Sequence, residues 1–353
     1  MKGERIKALD GLRALAIIEV VLYHLNVSVC DGMVTRLVIT FFFILSGYLM
    51  AMHYGDIEAN LTGIKRIFTR RIAHFLPLYW LTLIALLIFS AWGFRWDLPF
   101  HVLLLQSLIP HSYYCFSYNV VGWFISVLLI CYICFPLLNG IFRRVSLRAQ
   151  ITMLIIVGAV YHIMLYLLQP NGDYIYYICP VTRIFDFAAG MTLFRALESW
   201  HGNRKRLSMP WATVLEIVTI AVIIGCNMLV NSIPNSLRMV QYTLLWYIPV
   251  LMLIAVMGHR SMASGIFSRV LSWPIFVKVG MLSMEIYVLH YLTIGLVRKA
   301  VEASQIAMPV WIFTIVALLV TLAAAMLAHR FITIPVKNWI SRHCNTVKNS
   351  QSN

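Results

Sequence analysis

The sequence predicts an all-α fold: a polytopic transmembrane helical bundle of about ten spans with both termini cytoplasmic. Three observations carry this expectation. Of 353 residues, 61% are hydrophobic and only 12% charged, which sets the chain apart from soluble globular domains. About ten segments approach the twenty apolar residues that a helix needs to cross the hydrocarbon layer. The basic residues, finally, gather in alternate connections, as the positive-inside rule requires.

The predicted spans, in order, are Leu12–Val29, Leu37–Tyr54, Phe75–Phe94, Val120–Phe142, Ile151–Leu168, Pro180–Leu197, Trp211–Val230, Val240–Met257, Pro274–Val297 and Pro309–Ile332. Leu98–Ile109 is too short to cross and is read as interfacial or re-entrant. With the N-terminus inside, the cytoplasmic side receives basic clusters such as Lys65, Arg66, Arg70 and Arg71, or Arg143, Arg144 and Arg148. The outer loops keep only Arg36, Arg95, Arg238, Arg298 and Lys299. The formal charge of +15 is therefore assigned to cytoplasmic loops facing the membrane and not to a nucleic-acid footprint. Residues 1–353 read as a single membrane domain.

The first span is the exception to apolarity. It contains Asp10, Arg13, Glu19 and His24 on or beside its apolar run, and each charge near a bilayer centre costs roughly 2.5–3.5 kcal/mol on insertion scales. At about 100° per residue, Arg13 and His24 lie about 20° apart around the helix, Asp10 falls about 40° from His24 on the other side, and Glu19 falls on another face. Arg13 and His24 are separated along the axis by roughly 16 Å. One polar stripe thus runs from the cytoplasmic end past the membrane centre. A cleaved signal peptide has no use for these groups, and no small-residue cleavage site follows. An ion-paired structural stripe is the competing reading; ionisable groups inside a membrane more often mark function.

The seven cysteines do not suggest a metal. Cys131 and Cys134 are two residues apart, but they sit inside an apolar span without a second pair or a histidine pair. Cys30, Cys115 and Cys179 fall in predicted outer loops, where a disulfide is weakly supported.

The run Leu9-Asp10-Gly11-Leu12-Arg13-Ala14-Leu15-Ala16, with His24 eleven residues after Arg13, resembles the opening of the acyltransferase family 3 membrane proteins. Members of that family transfer acyl groups, usually acetyl, onto sugars of bacterial surface polysaccharides. Further segments are similar to the family's. Phe41 to Leu49 is its aromatic-rich Ser-Gly stretch, in which Ser46 and Gly47 allow a helix or a ligand to come close. Arg70-Arg71 followed by Pro77-Leu78-Tyr79-Trp80 is its basic motif, with His74 where many members have another arginine. Gly122-Trp123-Phe124-Ile125-Ser126-Val127-Leu128 matches a Trp…Ser-Val-Glu segment, except that Leu128 replaces the glutamate. That version is common in members fused to an SGNH hydrolase-like domain, and none follows here. Arg183 and Asp186, three apart, can pair on one face or bind an acceptor. Ser283-Met284-Glu285-Ile286-Tyr287-Val288-Leu289-His290 is similar to the family's Ser-Tyr-His segment, with Ser283 and His290 about 20° apart. Thr333 stands where many members have a glutamate two residues before Pro335.

The resemblance implies an O-acyltransferase of the bacterial cytoplasmic (inner) membrane. Its cofactor would be acetyl-CoA as acyl donor, with no metal. Its partners would be a glycan or lipid-linked sugar and membrane lipid, with no nucleic acid. His24 would serve as general base, or as an acyl-histidine, with Arg13 and Asp10 beside it. Arg70 and Arg71 would hold the phosphates of coenzyme A. Trp123, Arg183, Ser283 and His290 are the candidate substrate-binding residues. A transporter or flippase using the same stripe is the alternative from another class, and a noncatalytic partner in polysaccharide assembly is a third.

Overall fold

The computed structural model of the chain describes residues 5–27, 33–73, 75–89, 93–168, 174–200, 207–258 and 264–350. It is helical almost throughout. The first part comprises α1 (Lys7–His24), α2 (Met33–Tyr54), α3 (Leu61–Ile67), α4 (Leu76–Phe89), α5 (Leu98–Val102), α6 (Ser112–Cys115), α7 (Gly122–Arg144) and α8 (Leu147–Leu168). The second comprises α9 (Pro180–Trp200), α10 (Met209–Val230), α11 (Leu245–Gly258), α12 (Ile266–Leu271), α13 (Pro274–Met281), α14 (Ser283–Ser304), α15 (Val310–Ala328) and α16 (Ile334–Ser350). Single π-helical turns at Phe68–Ile72 and His329–Thr333 join α3 towards α4 and α15 to α16.

Among the described residues six helices are long and apolar enough to cross a membrane, or eight if two bent helix pairs each count as one span. The protein is thus a multi-pass membrane protein. α1 and α9 fall outside that count because their ionisable groups lower their apolarity: Asp10, Arg13 and Glu19 in one, Arg183, Asp186, Arg195 and Glu198 in the other. The fold supplies what their composition withholds. α1 is wrapped by α2, α11, α12, α13 and α14, so its polar stripe faces protein and not lipid, as the cost of bare charge in hydrocarbon demands. α8, α10 and α15 form the periphery and keep most of their apolar side chains exposed, as lipid-facing helices do.

Small residues set the closest crossings. In α9, a Cβ at Gly190 would run into the carbonyl of Ile44 in α2, and one at Gly47 would run into the carbonyl of Phe187. The two backbones therefore touch reciprocally. Gly280 of α13 lies in the same way on the carbonyl of Asp10, and Gly11 of α1 lies on that of Leu271. The buried Glu216 of α10 accepts the backbone N–H groups of Phe267 (2.9 Å) and Ser268 (3.0 Å). It thereby caps α12 and fastens it to α10.

The ninth predicted span is not continuous. Pro274–Val297 breaks between α13 and α14, which are inclined by 68°. The break falls at Leu282, with no proline at the junction. Gly280 fixes α13 against the backbone of α1 while Arg13 holds Ser283, so both sides of the break are tied to α1.

Between α4 and α7 no described helix exceeds five residues, which suits the expected non-spanning character of Leu98–Ile109. Buried polar groups hold this segment together. Ser117 Oγ donates to Asp97 (2.7 Å), and His101 Nε2 lies 3.0 Å from the Tyr114 carbonyl and 3.1 Å from Ser117 Oγ. A carbonyl only accepts, so Nε2 carries the imidazole proton. Burial pushes His101 from 6.5 down to about 4, against the opposing pull of the Tyr114 carbonyl and Asp97. The folded value lies below the unfolded one, so the cluster is intact above pH 6.5 and weakens as the pH falls from there towards 4. Between pH 7.5 and 5 the expected loss is about 2 kcal/mol, or roughly 30-fold in amide protection over residues 97–119 after correction for intrinsic exchange. Constant protection over that range would remove His101 from the account.

Candidate active site

Two rungs join α1 to α14. At the first, Arg13 Nη2 donates to Ser283 Oγ at 2.7 Å. At the second, the rings of His24 and His290 lie 5.0 Å apart between centroids. Both rungs ascend together, so α1 and α14 run parallel. Their spacings differ: eleven residues, roughly 16 Å, on α1 against seven, roughly 10 Å, on α14. The long arginine side chain spans the difference. Asp10 sits one turn before Arg13 and contacts its guanidinium at 3.5 Å, while its other oxygen takes Arg5.

The histidine rung is chemically asymmetric. His290 Nδ1 lies 2.7 Å from the Tyr287 carbonyl and 3.2 Å from that of Ile286. Carbonyls accept only, so Nδ1 is the protonated nitrogen and Nε2 carries the lone pair. That Nε2 is buried and has no hydrogen-bond partner among the described residues. His24 is half-buried and also meets Tyr291 edge-on at 6.0 Å. Tyr287 completes the group: its ring lies 5.6 Å from His290 and 5.0 Å from Phe124, and its hydroxyl donates to the Val121 carbonyl at 2.9 Å.

Two cavities meet at the arginine rung. The larger, of about 550 Å³, is lined by Arg5, Asp10, Arg13, Arg71, Glu285, His329 and Lys337 among others. The smaller, of about 90 Å³, continues from Arg13 and Ser283 to Phe124 and Tyr287, with Phe42, Ser46 and Leu128 in its walls. Arg13, Leu49, Arg71, Tyr132 and Met284 line both. A wide, mainly cationic chamber therefore narrows into a mostly apolar passage ending at Tyr287, the neighbour of His290. Such a shape accepts an anionic head and a slender neutral arm.

The predicted site residues divide accordingly. Asp10, Arg13, Ser283, His24 and His290 come together on α1 and α14. Arg71 lines both cavities, with its guanidinium 4.9 Å over the Tyr54 ring, whereas Arg70 is exposed and lines neither. Trp123 is buried against Tyr177, ring centroids 4.8 Å apart. Arg183 is wholly buried, paired with Asp186 at 2.7 Å and donating to the Tyr177 carbonyl at 2.9 Å. Trp123, Arg183, His24 and His290 line neither cavity; of these, His290 lies next to the cavity-lining Tyr287, with ring centroids 5.6 Å apart. Cys115, Cys131, Cys134 and Cys179 are free thiols; Cys30 and His74 lie outside the described residues. Glu285, His329, Tyr132 and Lys337 were not singled out by sequence reasoning. Their signal was weak: Glu285 lies inside a recognised motif, Tyr132 sits in an ordinary apolar run of α7, and Lys337 is one basic residue among several near the C-terminus.

A membrane bundle with paired intramembrane histidines beyond a cation-lined chamber and a narrow apolar passage has the build of a membrane group-transfer or substrate-translocating protein. The comparisons select between these classes: residues 6–330 match the model of the Acyltransferase domain family, and the chain belongs to that family. It is 27% identical over 369 residues to the peptidoglycan O-acetyltransferase OatA of Listeria monocytogenes, covering 94% of this chain and 56% of that protein. It is likewise 27% identical over 364 residues to the putative peptidoglycan O-acetyltransferase YrhL of Bacillus subtilis, covering 94% of this chain and 55% of that protein. The chain thus spans about half the length of these curated relatives. No solved structure matches it.

Proposed function

We propose that the protein transfers an acyl group, acetyl in the first instance, from cytoplasmic acyl-CoA to a hydroxyl of a surface polysaccharide or its lipid-linked precursor. One observation carries the reading: the cation-lined chamber is continuous with a narrow passage that ends at Tyr287, whose ring lies 5.6 Å from that of His290. The names of the relatives, peptidoglycan O-acetyltransferases, support a glycan acceptor. In this reading the phosphates of coenzyme A rest in the chamber near Arg71 and the pantetheine arm passes Arg13 and Tyr132. The thioester then reaches the histidines. The arm is long enough for the roughly 16 Å between Arg13 and His24. His24 removes the proton of the acceptor hydroxyl as that oxygen attacks the thioester carbonyl, and the thiolate leaves and takes up the proton. His290 orients His24 from the neighbouring rung. Arg13, aligned by Asp10 and Ser283, binds the arm. In the same reading α1 and α9 are counted with the six helices and the two bent pairs, giving ten spans with both termini in the cytoplasm of a bacterial inner membrane.

The test joins binding to product. Purified protein should bind coenzyme A in a salt-sensitive manner, and surface glycans from cells with the gene should carry an acetyl-sized mass increment absent without it. A translocating protein would leave the glycan mass unchanged.

The two basic residues of the motif should then separate. Arg71→Gln is expected to weaken coenzyme A binding by roughly tenfold or more, the loss of a charge-assisted contact. Arg70→Gln should change it less than threefold, because Arg70 is exposed outside the chamber. Equal losses, measured by calorimetry on correctly inserted protein, would mean that long-range charge and not contact geometry binds the acyl donor.

A further inference from the structure

The wall of the large cavity formed by α14 and the π-helical turn at His329–Thr333 contains polar groups that neither the helix packing nor the transfer chemistry uses. The Glu285 carboxylate is 4% exposed. Its Oε1 lies 2.7 Å from Nδ1 of His329. Thr333 is 7% exposed and its hydroxyl has no hydrogen-bond partner among the described residues. All three side chains line the cavity. π-helical turns of this kind are frequent at functional sites. Here it places residues 329 and 333 together on the cavity side.

Two carboxylates line this mainly cationic chamber, and while Asp10 is taken by Arg5 and Arg13, Glu285 faces His329. Glu285 takes the Nδ1–H of His329, as carboxylates do behind histidines that act through their other nitrogen. The imidazole is then fixed in orientation, and with both ring nitrogens protonated its Nε2–H is left as a donor to an anionic group in the chamber. The Thr333 hydroxyl adds a neutral hydrogen-bond donor in the same wall.

We propose that His329, oriented by Glu285, and the Thr333 hydroxyl form a phosphate-binding subsite of this cavity, separate from Arg71, that takes a phosphate of the acyl donor. The inference rests on the coenzyme A reading above. In it Glu285 is a positioning residue, and His329 and Thr333 touch the ligand.

A truncated acyl donor isolates the effect. S-acetylpantetheine has the thioester and the arm but no nucleotide phosphates. His329→Gln is expected to raise KM for acetyl-CoA roughly tenfold, as for loss of one charge-assisted hydrogen bond, with kcat little changed. Thr333→Val should raise it severalfold, and both variants should use S-acetylpantetheine as the wild type does. A merely structural pair would depress turnover with both acyl donors and lower the folded yield; that outcome overturns the proposal. So does an unchanged affinity of His329→Gln for coenzyme A. Anionic lipid is the other source of phosphate: loss of bound phosphatidylglycerol with coenzyme A affinity intact would assign the subsite to a headgroup and also overturn it. Failure of the wild type itself to bind coenzyme A would retire the acyl-donor reading and this inference together, and the wild-type titration distinguishes that case from failure of the subsite alone.

Discussion

Replacing His24 by alanine is expected to lower acyl transfer by roughly 10²–10⁴-fold, the usual contribution of a general base, while coenzyme A binding and membrane insertion stay close to wild type. The separation follows from the geometry. His24 does not line the chamber that holds the cations; it lies beyond the far end of the passage, next to His290. His24→Gln keeps hydrogen bonding but cannot take a proton near neutrality, so it should be nearly as poor. His290→Gln should lose less than His24→Ala, because it disturbs an orienting neighbour and not the base. The measurement is acetyl transfer per molecule of correctly inserted protein. Near-normal turnover by His24→Gln would end the base assignment, and direct flux assays of the translocation reading would follow.

Gly190→Val is expected to abolish accumulation of folded protein. Its Cβ would occupy the position of the Ile44 carbonyl, which is backbone and cannot rotate away. α2 and α9 would have to separate, and the buried Arg183–Asp186 pair beside Thr40 would lose its enclosure. In membranes such crossings depend on close van der Waals packing between small residues, because lipid offers no hydrophobic drive to push the helices back together. Gly47→Val, on the reciprocal side of the crossing, should behave alike. Gly225→Ala is the control: nothing lies within 4 Å of its Cβ, so this helical site should be neutral or gain about 0.5–1 kcal/mol. Folded yield by size-exclusion chromatography separates these outcomes, and a normal yield for Gly190→Val would show that the crossing is loose.

The helical class, the membrane environment and the face of α1 on which Asp10, Arg13 and His24 lie were legible in the amino-acid sequence. These are local properties. Helical periodicity fixes angular position, and an ionisable group in an apolar run is visible wherever the run ends up. That Ser283 and His290 share one face of α14 was also legible, from their spacing and from motifs that resemble a known family; the contact of Ser283 with Arg13 was not.

Other features depend on contacts between distant parts of the chain. The break at Leu282 has no proline to announce it; it arises because Gly280 and Ser283 are each tied to α1. Ser46-Gly47 divides its labour, Gly47 to packing against α9 and Ser46 to the passage wall, and one local motif cannot show which side faces what. Arg70 and Arg71 are neighbours in sequence, yet only Arg71 reaches the chamber, since adjacent helical residues point about 100° apart. His329, Thr333 and Glu285 share a wall because a π-helical turn rotates α15 into α16 beside α14. Glu216 shows the same limit: a carboxylate in an apolar run is conspicuous in sequence, but the backbone N–H groups that hold it lie about fifty residues away and meet it only when α12 folds onto α10.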